Sequence, residues 1–170
     1  MTTLGRGGAF WVDTEATSLS EADHLLQSLA AELALSEGVF GCTHLVRGER
    51  PRVVLSFTGA SAEASRLLTD KGYEVTAGVP DTAGRAVLYP GVGRLTGTVT
   101  VAEVVSGSAI ERVAVLGGSG EPAPDQRILT RDFVRPEWRD GELVLTAMPA
   151  AGGVLVPFEV PDPTPCCADH

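Results

Sequence analysis

The sequence predicts an α+β protein, and three observations carry that expectation. Two segments place apolar residues at helical spacing between capping and stop residues. Short runs rich in β-branched and aromatic residues alternate with them as far as about Pro90. Beyond Gly91 the texture turns valine-rich and glycine-rich without a long helix.

Residues 7–13 read as a short strand, because Phe10, Trp11 and Val12 are good strand formers. Thr17, Ser18 and Ser20 offer caps, and Ser20 with Asp23 resembles a capping box with Asp in the usual Glu position. Ala22, Leu25, Leu26, Leu29, Leu33 and Ala34 then fall at helical spacing, which predicts a helix ending near Ser36 with Gly38 as its stop. Val39 to Val46 and Arg52 to Phe57 read as strands joined through Gly48-Glu49-Arg50-Pro51. Ser61 opens a second helix with Ala62, Ala64, Leu67 and Leu68 inward and Gly72 as its stop. Tyr73 to Thr76 and Arg85 to Tyr89 supply further strands.

That order, strand-helix-strand-strand-helix-strand, is the ferredoxin-like βαββαβ arrangement. It is a topological expectation with no implication of clusters or electron transfer. In the second half, Thr98 to Val105 fits a strand by composition and a short helix by its Thr100/Glu103 capping pattern, and both stay open. Glu111 to Leu116 reads as a strand, and Glu142 to Ala147 with Val154 to Val160 as a hairpin around residues 149–153. Pro157 predicts that the last strand is an edge, free for pairing with a partner. The expected organisation is a ferredoxin-like half over 1–90, a β-rich half over 91–160 packed on it, and a proline-rich Cys-Cys-x-x-His tail over 161–170.

Composition bounds the partners. The chain has 170 residues, 44% hydrophobic and 21% charged, and a formal net charge of −9. No Lys/Arg block interrupts that charge, so nucleic acid and anionic membrane are not expected, because phosphate binding needs a clustered positive field. No secretory signal or membrane-length apolar run is visible, and a cytoplasmic location is the expectation. Twelve arginines against one lysine, and no Asn, read as codon bias and not as function. Three cysteines do not suggest a disulfide framework and favour free or metal-bound thiols.

The sharpest site expectation is a thiolate-imidazole metal centre. Cys166, Cys167 and His170 close the chain after prolines at 161, 163 and 165, which favour an extended path. Cys42 and His44 are two apart on a strand and therefore share a face. All three cysteines and two of the three histidines thus fall into two motifs, and such donors suit zinc or copper(I). Adjacent cysteines are not a standard zinc spacing, and Cys42 read alone is a small buried hydrophobe. Thiol redox chemistry is a weaker alternative without Cys-x-x-Cys spacing. A non-catalytic interaction module, including a homodimer, is a second reading. A third places Arg131, Arg135 and Trp138 around a small anionic ligand, with arginine forks binding a carboxylate or phosphate and Phe133 or Trp138 stacking. Against it stands local pairing with Asp132, Glu137 and Asp140. Whether the chain is an enzyme stays open. Gly117-Gly118-Ser119-Gly120 is followed by Pro122 and Pro124 where a phosphate site needs a helix, so it is read as a loop.

Overall fold

The structure is a computed structural model that describes residues 8–118 and 120–161. Its elements in chain order are β1 (Phe10–Asp13), α1 (Leu19–Glu32), β2 (Phe40–Val46), β3 (Arg52–Thr58), α2 (Ala62–Asp70), β4 (Val75–Ala77) and β5 (Arg85–Leu88). A short 3₁₀ turn, Val92–Arg94, precedes β6 (Thr98–Thr100), α3 (Val101–Gly107), β7 (Arg112–Val115), β8 (Arg127–Leu129), β9 (Glu137–Arg139), β10 (Glu142–Ala150) and β11 (Val154–Pro157). The protein is therefore of mixed α+β class. It divides into two compact units, one formed by the chain up to Gly91 with Glu137–Gly141, the other by Val92–Pro136 and the chain from Glu142 onward.

In the first unit the strand order is β4-β1-β3-β2-β5-β9. β3 is antiparallel to both β1 and β2, β4 is antiparallel to β1, and β5 is antiparallel to β2 and β9. Strand residues alternate between faces, so this register sorts them into two sets. Phe10, Val12, Val53, Leu55, Phe57 and Val87 form one apolar core with Ala22, Leu26 and Leu29 of α1 and Ala64 and Leu68 of α2. Gly41 belongs to this face: a Cβ there would lie 2.9 Å from Leu26 Cδ2 and 3.3 Å from Leu88 Cβ, so a side chain would force Leu26 to shift. The opposite face carries Cys42, His44, Val54, Ser56 and Ala86, all buried.

Two local expectations for α1 are corrected. Its cap is Ser18, whose hydroxyl accepts from the Glu21 amide, while the Glu21 carboxylate accepts from the Thr17 amide. Ser20 and Asp23 are inside the helix. The helix also stops before Ser36 and Gly38: Leu33 is its C-cap, and Ala34 takes a left-handed φ of 49°. That conformation costs a non-glycine residue about 1–2 kcal/mol, and packing of Leu33 and Leu35 against the core accompanies it.

Asp23, freed from capping, points into the core face. Its two carboxylate oxygens accept from both terminal nitrogens of Arg85, at 2.6 Å and 3.0 Å, and Arg85 also donates to Thr43 Oγ1 at 3.1 Å. Both charged residues are 7% exposed. This bidentate pair fixes α1 to β5 and β2. A charge buried without its partner is far more costly than the pair is favourable, so each depends on the other.

In the second unit β10 lies between β11, antiparallel, and β7, parallel, with Ala147 paired on both sides. β8 continues the sheet parallel to β11, and β6 is antiparallel to β8. The open choice at 98–105 resolves into both alternatives: β6 runs to Thr100, which caps α3 in a complete capping box with Glu103. The expectation that β11 is an edge strand is overturned, since Leu155 pairs with Ile128 of β8. Pro157 is tolerated because it is the last residue of the strand, beyond that bridge, where its missing N–H is not required. Val154 to Val160 therefore does not offer the free edge on which strand pairing with a partner was expected.

Replacing Asp23 by Ala should leave the Arg85 guanidinium buried without this carboxylate. The expected loss is about 3–5 kcal/mol in urea unfolding. The Asp23→Leu/Arg85→Met double variant should lose less than Asp23→Ala alone, and equal or larger loss would show that the charge pairing is not what matters.

Candidate functional site

On the buried face opposite the helices, side chains of several reactive types converge. β2 contributes Cys42 and His44, two residues apart and so on one side. β3 contributes Ser56, which stands directly opposite Cys42 in the ladder. β9 contributes Trp138, whose backbone N–H donates to the Gly84 carbonyl and whose ring packs against Phe40 at 5.6 Å. Gly84 leaves little room here: a Cβ would lie 3.1 Å from His44 Cε1, 3.3 Å from Trp138 Cδ1 and 3.4 Å from Cys42 Cβ.

Hydrogen bonding fixes the protons. His44 Nδ1 lies 3.0 Å from the Thr82 carbonyl oxygen, which can only accept, so Nδ1 carries the hydrogen. His44 Nε2, 2.6 Å from Ser56 Oγ, is then a bare lone pair that accepts the serine hydroxyl. Ser56 stands directly opposite Cys42 in the ladder, and the Trp138 indole, a pure donor, acts on the Cys42 sulfur. Trp138, Cys42, Ser56 and His44 thus form one cluster, which His44 anchors to the Thr82 carbonyl. Among the described residues no buried side-chain N or O lacks a partner.

Burial dominates the electrostatics. It pushes the Cys42 thiol up to about 11, against the opposing hydrogen bonds from Trp138 and Ser56, so the thiol is protonated at neutral pH. Burial also lowers the His44 pKa, outweighing the Thr82 carbonyl that favours the cation. On this face Asp13 stands level with His44 across Val54 and pairs with Arg52 at 2.7 Å.

The order serine, histidine, carbonyl has the form of a nucleophile, its base and an orienting group. It is not arranged for acyl transfer, because Ser56 is 2% exposed in the middle of a strand. A neutral imidazole whose Nδ1–H is tied to a backbone carbonyl is also the usual orientation of a metal-binding histidine, with Nε2 left as the ligand atom. Cys42 and His44 therefore hold two soft donors beside Ser56. Among the described residues no group of three or more His, Cys, Asp or Glu side chains is gathered. Cys166, Cys167 and His170 lie outside the described residues.

The arginine-aromatic stretch is distributed over different surroundings. Arg131 and Asp132 occupy the two central positions of a β-turn with φ of 58° and 55°, closed by the Phe133 amide on the Thr130 carbonyl. The turn is fastened by Asp132, which accepts from the Gly97 amide, and by Thr130, which donates to the Gly97 carbonyl. Arg131 is exposed at the tip. Arg135 lies over the Phe133 ring at 4.0 Å and donates to the Val134 carbonyl. Trp138 belongs to the other unit and to the thiol-imidazole cluster. Arg139 lies 3.7 Å from Glu137.

Sequence reasoning found Cys42 and His44 by their spacing. It missed Ser56, Thr82 and the participation of Trp138 because these are brought in by strand register and by a loop, neither of which leaves a local pattern. No protein-family model, curated protein or solved structure matches the chain.

Two outcomes follow. The folded-state pKa of His44 lies below its unfolded value of about 6.5, so the unfolded chain binds the extra proton. The contribution of His44 to stability is full above that value and is lost as pH falls toward the folded pKa. Urea midpoints measured from pH 7.5 downward should show this loss, and His44→Asn, which keeps a donor for Thr82 but does not titrate, should flatten that part of the profile. Gly84→Ala should destabilise by about 1–3 kcal/mol through crowding and alter Trp138 fluorescence, whereas Gly93→Ala, with nothing within 4 Å of its Cβ, should not.

Proposed function

We propose that this protein binds a soft metal ion, zinc or copper(I), through thiolate and imidazole donors. Cys166, Cys167 and His170 are the primary ligands in this reading, and Cys42 and His44 are partners on the first sheet. The observation that carries it is the state of His44: Nε2 is unprotonated, Nδ1–H is tied to the Thr82 carbonyl, and the Ser56 that Nε2 meets stands directly opposite Cys42 in the ladder. Metal binding would displace the Ser56 hydroxyl and take the Cys42 proton, which a bound cation favours despite the burial. The first unit is read as a ferredoxin-like split βαβ domain, supported by the β4-β1-β3-β2 order with antiparallel neighbours and both helices packed on one face. No helix among the described residues is long and apolar enough to cross a membrane.

A second reading, an interaction or self-associating module, has its own support in the second unit. Leu116, Met148 and Phe158 are 46%, 39% and 59% exposed. They flank one stretch of β10, since Leu116 N–H donates to Ala147 O and Phe158 N–H to Thr146 O. If this patch joins two copies, Phe158→Asp should lower the mass found by sedimentation, and a wild-type chain that is monomeric at high concentration removes the homodimer.

The metal reading is tested on the full chain, purified without a histidine tag, by elemental analysis and by competition with a chromophoric chelator. Close to one equivalent of zinc or copper(I) is expected. Cys166→Ser/Cys167→Ser should weaken binding at least tenfold. His44→Gln should weaken it further, while Arg131→Ala should not change it. Sub-stoichiometric metal with no uptake on titration overturns the proposal.

A further inference from the structure

Residues 78–84 join β4 to β5, which are separated in the sheet by β1, β3 and β2. Four strand spacings amount to about 19 Å. The eight steps from Ala77 to Arg85 reach at most about 26–29 Å when fully extended. The link also has to climb, because Ala77 pairs with Phe10 at the start of β1 whereas Arg85 pairs with Thr43 in the middle of β2. Little slack remains, so the segment is a strap. It passes on the side opposite the helices, since its Thr82 carbonyl meets His44.

The strap is fastened at its ends and at one point between. The Gly78 amide donates to Ala9 O at 2.8 Å, and Gly84 O accepts from the Trp138 amide at 2.9 Å. The intermediate fastening is the imidazole N–H of His44 on Thr82 O. Between these points Val79, Asp81, Thr82 and Ala83 are exposed, Val79 to 55%. Few buried apolar contacts and one polar latch are the conditions under which a segment opens locally while the rest stays folded. Beside the latch lie Cys42, His44 and Ser56, each 4% exposed or less.

We propose that residues 78–84 are a latched lid, opened by release of Thr82 from His44, and that this opening is the route by which a ligand reaches Cys42 and His44. The proposal rests on the metal reading for its ligand. The lid motion itself is independent of metal. The same imidazole serves as latch and ligand, so release of Thr82 frees the ring to turn as the site becomes accessible.

The test uses the full chain carrying Cys166→Ser/Cys167→Ser, in which Cys42 is the remaining thiol, with 4,4′-dithiodipyridine as probe and no metal present. The labelling rate is followed across urea concentrations below the unfolding transition. Opening of the lid exposes little surface, so the rate should hardly depend on urea. Pro80→Gly, which loosens the strap, should raise it about two- to fivefold at unchanged urea slope. Labelling that rises with the slope of global unfolding and ignores Pro80→Gly overturns the lid. So does labelling at the rate of a free thiol. Because no metal enters this assay, failure of metal uptake with strap-dependent labelling sinks only the metal reading. Normal uptake with strap-independent labelling sinks only the lid.

Discussion

A buried hydroxyl, thiol and imidazole must exchange hydrogen bonds with one another when water is excluded, and the first unit is built around that requirement. An unpaired buried polar group costs on the order of 1–3 kcal/mol, and Cys42, Ser56 and His44 lie together on one inner face. His44 is satisfied between the Ser56 hydroxyl and the Thr82 carbonyl, and the Trp138 indole, a pure donor, acts on the Cys42 sulfur. The cluster recruits parts that are distant in sequence: two central strands, a loop and a strand that the backbone supplies only after most of the second unit has been made.

The opposite face solves the same problem with charge. Asp23 and Arg85 bring a full ion pair into the apolar core and stay there because the fork geometry satisfies both carboxylate oxygens. The two faces differ in what they can do. The ion pair is closed, with partners in contact and Thr43 bound as well. The other face keeps an imidazole nitrogen lone pair on the Ser56 hydroxyl, with the Cys42 thiol opposite that serine.

β9 connects the cluster to the path of the chain. Glu137–Gly141 belongs to the first unit although the residues before and after it belong to the second. Its place is set by Arg85 pairing with Glu137 and by the Trp138 amide on Gly84. Gly84 allows this approach because a side chain there would crowd His44 and Trp138. One glycine therefore serves the strap, the returning strand and the histidine together.

The amino-acid sequence by itself determined the elements and the alternation of their faces. Helical spacing placed α1 and α2, β-rich runs placed the strands other than β8 and β9, and the two-residue gap placed Cys42 and His44 on one side, because these are local properties of the backbone. It misplaced the ends of α1, where Ser18 and Ser20 are equally good caps by composition and Ala34 adopts a glycine-like φ under tertiary packing. It also misread Pro157, since a missing N–H excludes a bond at that residue only and leaves Leu155 free to pair. Only the tertiary structure decided that Asp23 is an ion-pair partner and not a cap, that Ser56 stands opposite Cys42 and meets the imidazole, and that Thr82 fixes the tautomer of His44. Those outcomes depend on strand order, register and the path of a strap across a sheet, which are non-local pairings with no signature in any short stretch of sequence.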